Sequence, residues 1–178
     1  MIKGIFVTSL TNLEIVAPCY HEREGMWLIE QVAKEFNPGR IIELGTLQGG
    51  LTILLANACP DAPTVRIVAD GAKLPFPDES QDYVLALHNL EHYHQSTLII
   101  LREWHRVLKP GGICAVIVPD GDRKMDAFYA GSGEHFHIFT VPILALYFRA
   151  AKFNVIKCEK VDRLPERPEQ TILCVGRK

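Results

Sequence analysis

The stretch "RIIELGTLQGGLTILLA", residues 40–56, decides the fold. Ile41 and Ile42 suit a strand buried in a parallel sheet. Gly45, Gly49 and Gly50 then let the main chain turn tightly and admit a ligand with no side chain in the way. The run from Thr52 to Ala58 is apolar enough for a helix packed on that sheet. Strand, glycine turn and helix in this order form a nucleotide-binding shape, with Glu43 at the strand end.

On the N-terminal side, "HEREGMWLIEQVAKEF" (21–36) sets Trp27, Leu28, Val32 and Phe36 at helical spacing, and "NPG" at 37–39 stops the helix. Residues 1–20 are expected to be an arm or partial lid, with a short strand at 4–7. On the C-terminal side "TVRIVA" (64–69) reads as a strand and "LPFPDES" (74–80) as a proline-punctuated loop. A strand at 82–88 ("DYVLALH") follows, then a helix over 95–108 ended by "KPGG", and a strand at 113–119 ("ICAVIVP"). Residues 120–139 form a long polar loop and 141–151 a helix. "NVIKCEK" and "TILCVGR" are closing strands, paired like a hairpin across "DRLPERPEQ".

Strands alternating with helices predict an α/β, Rossmann-like, mostly parallel sheet with helices on both faces. Only a loop joins the last two strands, so an antiparallel strand is expected near the C-terminus. A strand–helix–strand unit takes about thirty residues. The segment between Gly45 and Asp82 therefore holds one strand, and the fold is abbreviated by about one strand–helix unit. The whole chain, 1–178, reads as a single domain. In open sheets of this kind ligands lie at the carboxyl ends of the strands. That rule gathers the glycine turn, the loop after Asp70, His88 to His94 and the 120–139 loop on one rim.

Composition narrows the function classes. Hydrophobic residues make up 48% and charged residues 22%, as in an ordinary globular protein, and the formal net charge is −2. Neither nucleic acid nor an anionic membrane is an expected partner. The opening "MIKGIFVTSLTNLE" is too short in its apolar part to span a bilayer and makes a poor signal peptide. Cys19, Cys59, Cys114, Cys158 and Cys174 form no CxxC pair, which fits a reduced, cytoplasmic protein. Cys114 and Cys174 fall inside apolar strands and are expected in the core. An edge strand left exposed by the missing unit favours a homodimer.

"ELGTLQGG", "LPFPDESQDYVLALHNLEH" and "LREWHRVLKPGG", in this order, resemble the class I S-adenosylmethionine-dependent methyltransferases, in particular the methyltransferase type 11 group. The resemblance covers roughly residues 21–176. It implies S-adenosyl-L-methionine as cofactor and methyl transfer to a small-molecule acceptor. Glu43 resembles the family acid near the cofactor's amino-acid end; otherwise it is a solvated charge at a strand end. Gly45, Thr46 and Gly49 resemble the turn on which the cofactor lies, although Leu47 stands where the family often has a glycine. Asp70 follows Gly49 at about the 20-residue spacing of a ribose-binding acid. By alignment on "LPFPD" it would instead sit beside the adenine. Ala72 and Leu74 would edge the adenine, and Gly71 and His88, on the same rim, complete the cofactor-binding set. Asp82 is read as ordering the start of its strand, and "RVLKPGG" as architecture, with Leu101, Trp104 and Leu108 packing inward.

Of seven histidines, His88, His92, His94, His135 and His137 fall in the two rim segments. Three readings stay open: a metal site with Glu91 or Glu134, substrate recognition or a general base acting on the acceptor, or pocket structure. His88, His92, His135 and His137 are the catalytic candidates, and no metal is assigned. Two rival functions remain. One is a degenerate cofactor-binding module without catalysis, suggested by the shortened region and Leu47. The other, a nicotinamide-dependent oxidoreductase, is disfavoured because the turn lacks G-x-G-x-x-G.

Overall fold

The computed structural model describes residues 35, 41–44, 70–122, 135–164 and 167–178. The expected arm at 1–20, the turn and helix at 45–58, the strand at 64–69 and most of the 120–139 loop lie outside these residues. So does the helix at 21–36, apart from Glu35, which is helical. The proposed loss of one strand–helix unit falls outside them as well.

The described chain runs β1 (Ile41–Leu44), β2 (Gln81–Leu87), a 3₁₀ turn (Leu90–His92), α1 (Thr97–Val107), β3 (Leu108–Pro119), α2 (Val141–Ala150), β4 (Asn154–Leu164) and β5 (Arg167–Arg177). The five strands form one sheet in the order β1-β2-β3-β5-β4. β1, β2 and β3 are parallel; β5 is antiparallel to both β3 and β4. This is the expected mixed sheet, Rossmann-like in its parallel half and closed by an antiparallel strand.

β2 lies inside the sheet, between β1 and β3, because almost nothing in it needs water. From Tyr83 to Leu87 every residue is buried. Val84 and Ala86 join the core cluster on one face, together with Cys114, Val116 and Val118 of β3 and Cys174 of β5. Tyr83, Leu85 and Leu87 alternate to the other face and are buried too, as in a sheet covered on both sides. α1 fits that core by a simple pattern: Ile100, Leu101, Trp104 and Val107 recur on one stripe and are fully buried. α2 adds Leu144 and Phe148. Cys114 and Cys174 are buried, as expected.

Several boundaries differ from the sequence expectation, β2 and the second helix by a single residue at an end and the others by more. α1 spans Thr97–Val107 rather than 95–108. β3 starts at Leu108 because that residue already pairs with Gln81. The Lys109–Gly112 stretch bulges from the ladder, with Gly111 at φ 83°, a left-handed conformation that glycine adopts freely. The closing strands are longer than "NVIKCEK" and "TILCVGR". Pairing continues through Asp162↔Gln170 to Leu164↔Arg167, so much of "DRLPERPEQ" is strand. No helix among the described residues is long and apolar enough to cross a membrane.

Candidate functional site

The parallel strands end on a common rim. β1 brings Glu43 level with Leu85 and Leu44 level with Ala86, so its carboxyl end lies just short of His88 on the neighbouring strand. Gly45, Thr46 and Gly49 lie outside the described residues, and of Glu43 only the main chain is described.

The Asp70–Lys73 turn forms one wall. The Asp70 carbonyl accepts a hydrogen bond from Lys73 N at 2.9 Å, and its carboxylate accepts one from Ala72 N at 2.9 Å. Asp70 is otherwise exposed. Gly71 is buried beneath two aromatic rings. Its carbonyl accepts the indole N–H of Trp104 at 3.0 Å, and a Cβ at this position would run into the Tyr93 hydroxyl. Burial, followed by the negative charge of Asp70, pushes the Tyr93 phenol up to about 12. Tyr93 and Trp104 meet edge to face at 6.4 Å. Leu74 is buried, and the loop beyond it is tied to α1. Glu103 Oε1 accepts Leu74 N at 2.7 Å, and Arg106 donates to both Glu103 oxygens, to Asp78 and to the carbonyls of Leu74 and Phe76. The guanidinium of Arg106 holds the Glu103 carboxyl below its ordinary range.

The second wall starts where β2 stops. His88 has φ 46°, a left-handed value that is uncommon outside glycine, and its N–H donates to the Ile117 carbonyl at 2.9 Å. The chain then drops into the 3₁₀ turn that carries Glu91 and His92. The Glu91 carbonyl accepts two N–H groups from the distant segment, Phe136 at 2.8 Å and His137 at 3.2 Å. Those two bonds deliver His135 to the turn, with its ring edge-on to His92 at 4.6 Å between centroids. Glu91 is buried, with Oε1 3.4 Å from His88 Nδ1 and 3.7 Å from His92 Nε2. His137 is directed elsewhere, its Nε2 2.9 Å from the Gln95 carbonyl oxygen. His94 lies against Phe136, with centroids 3.8 Å apart.

Of the four catalytic candidates, then, His88, His92 and His135 gather round Glu91 and His137 braces the segment. Asp82 pairs with Lys109 at 2.6 Å, which ties the start of β2 to the bulge. Two features escaped the sequence reading. Asp120, at the end of β3, is buried and ion-paired with Lys160 of β4 at 2.6 Å. It forms a bridge to Phe139 that holds the second rim segment. The Glu103–Arg106 pair was visible only as E-x-x-R spacing, and its partners in 74–78 lie too far along the chain for spacing to reveal.

Residues 42–116 match the methyltransferase domain family. A demethylmenaquinone methyltransferase of Listeria welshimeri is 46% identical over 98 residues, covering 49% of this chain and 36% of that protein. The aligned part thus spans little more than a third of the curated relative. Among solved structures, a Burkholderia thailandensis 1,6-didemethyltoxoflavin-N1-methyltransferase, with 1,6-didemethyltoxoflavin and S-adenosylhomocysteine bound, is 22% identical. It superposes with a TM-score of 0.67 over 88% of this chain and 79% of its own. The [4+2]-cyclase SpnF is 19% identical, with a TM-score of 0.67 over 86% of this chain and 81% of its own. Residues 42–116 thus match the methyltransferase domain family, and over most of its length the chain shares the fold of solved S-adenosylmethionine-dependent methyltransferases.

Proposed function

We propose that the chain transfers the methyl group of S-adenosylmethionine to a small-molecule acceptor. The observation that carries this reading is the family match across the strand ends that form the rim: it starts in β1 and takes in the Asp70 turn, β2 and most of β3. In this reading Glu43, Gly45, Thr46, Gly49, Asp70, Gly71, Ala72 and His88 hold the cofactor. The Asp70 carboxylate, fixed by Ala72 N and open to solvent, accepts the ribose hydroxyls. Ala72 presents a small side chain to the flat adenine, on the turn that Gly71 anchors from beneath. When bound, the cofactor supplies an electrophilic methyl on a sulfonium whose leaving group is a neutral thioether.

The protein's contribution is then chiefly alignment, which can account for several kcal/mol of the barrier. Where the acceptor must lose a proton, the imidazoles of His88, His92 and His135 are the candidates to take it, while His137, with its Nε2 on the Gln95 carbonyl, braces the segment. The relatives named demethylmenaquinone methyltransferase suggest a quinol-type ring as the first acceptor to try. Residues 1–178 form one unit in this proposal, acting in the cytoplasm, where Cys114, Cys158 and Cys174 stay reduced, and associating as a homodimer.

Calorimetric titration with S-adenosylmethionine and S-adenosylhomocysteine, against Gly49→Val and Asp70→Ala, tests the cofactor half. Turnover over a panel of phenols, quinols and amines tests the other half. Tight binding without turnover on any acceptor would leave the degenerate cofactor-binding module; no binding at all would remove the reading.

A further inference from the structure

Among the described residues, Glu91 is a deeply buried acid. Its side chain is 1% exposed, and neither carboxylate oxygen accepts a hydrogen bond from any described residue. The nearest imidazole nitrogens, at 3.4 and 3.7 Å, lie beyond the roughly 2.7–2.9 Å of a charge-assisted hydrogen bond. A buried carboxylate is retained where something positive meets it. We propose that Glu91, His92 and His135 bind one divalent transition-metal ion, for which Zn²⁺ is the probe.

The donor atoms of these three side chains all lie within 4.8 Å of one another. The frame that brings them together is already built. Glu91 and His92 share the 3₁₀ turn, and His135 is the residue just before the two N–H groups that bond the Glu91 carbonyl. The two rings stand at 73° rather than stacked, so each can direct a nitrogen to a common point. Metal–ligand bonds of about 2.0–2.1 Å put tetrahedral donors about 3.3 Å apart, so closing the site takes only side-chain shifts of roughly an ångström. Two imidazoles and one carboxylate suit zinc or cobalt rather than calcium or magnesium, which prefer all-oxygen shells. Three protein ligands leave a fourth position open on the rim. His88, with Nδ1 beside Glu91 Oε1, orients the carboxylate from the outer shell. The site stands whether or not the chain transfers methyl groups.

The test uses the full chain without an affinity tag, stripped with chelator and titrated with Zn²⁺ by calorimetry and with Co²⁺ by visible absorption. One equivalent of Zn²⁺ and the intense bands of four-coordinate cobalt are expected. Glu91→Gln, His92→Ala and His135→Ala should each weaken Zn²⁺ binding by more than about a hundredfold, and His88→Ala by about 10–100-fold. His94→Ala, outside the ligand set, should bind as the unchanged chain does. Where a variant fails to fold, a Zn²⁺-dependent rise in the Tm of the unchanged chain gives the same readout. Substoichiometric binding, no Tm shift, or a folded His92→Ala/His135→Ala double variant that binds normally would overturn the proposal.

Discussion

At the scale of single residues, the rim is built from groups held in unusual states. Asp70 spends part of its carboxylate on its own turn, which fixes the group's direction before any ligand arrives. Asp70→Ala should weaken S-adenosylmethionine binding by about 10–100-fold, since hydrogen bonds to a charged group contribute about 1.5–3 kcal/mol. Calorimetry reads this directly. Tyr93 reports the same wall from below. Its phenol keeps its proton to about pH 12 in the folded chain, against 10.0 ordinarily. In the unfolded chain it would lose that proton near its ordinary value. The stability it contributes is therefore intact below pH 10 and is lost as pH rises through that window. A phenolate absorbance titration should show a late step near pH 12 that Tyr93→Phe abolishes. Glu103 works in the opposite sense. Its folded-state pKa is depressed, first by the Arg106 hydrogen bonds, so its contribution is full above the ordinary carboxylate range and lost as pH falls through the folded value. Glu103→Gln should lower stability by about 1–3 kcal/mol at neutral pH and flatten the acid limb of the unfolding curve.

At the scale of elements, β1, β2, α2 and the core strand of β3 were legible because apolar runs and helical stripes announce them. The long closing hairpin was not. β4 is an outer strand of the described sheet and carries Lys157, Glu159 and Lys160, so its outer positions look like loop until pairing with β5 is seen. The histidine-rich segments were legible as a cluster and illegible as a geometry. Nothing in the spacing of His88, His92, His135 and His137 tells which three meet Glu91 and which one turns to Gln95. That choice is made by two main-chain bonds, and main chain leaves no mark in a sequence. α1 links the core to the Asp70–Lys73 wall through one indole. Trp104→Ala should cost about 3–5 kcal/mol by cavity formation. Trp104→Phe keeps most of the packing but leaves the buried Gly71 carbonyl without its donor. A cost of about 1–3 kcal/mol is expected by denaturant unfolding, with weaker S-adenosylmethionine binding although the residue touches no ligand.

At the scale of the whole molecule, the β4 edge of the described sheet has a character of its own. The β4 edge is charged along its exposed positions, a pattern that discourages edge-to-edge pairing. A homodimer should therefore leave β4 solvent-facing. Sedimentation should give the same association state for Lys157→Ala/Glu159→Ala as for the unchanged chain; a dimer that strengthens on removing those charges would place its seam on this edge instead. The structural neighbours carry a related lesson. A methyltransferase and a [4+2]-cyclase share this architecture to the same TM-score of 0.67, so the sheet is a platform and the rim side chains decide the chemistry.

One oxygen atom ties the platform's two loops together. Because the carbonyl of Glu91 is a shared acceptor for Phe136 and His137, the segment leaving β2 and the segment entering α2 are stapled at a point. Neither can swing away without tearing the same staple. Amide deuteration at 136 and 137 should accordingly proceed in lockstep, and whatever slows one clock should slow the other.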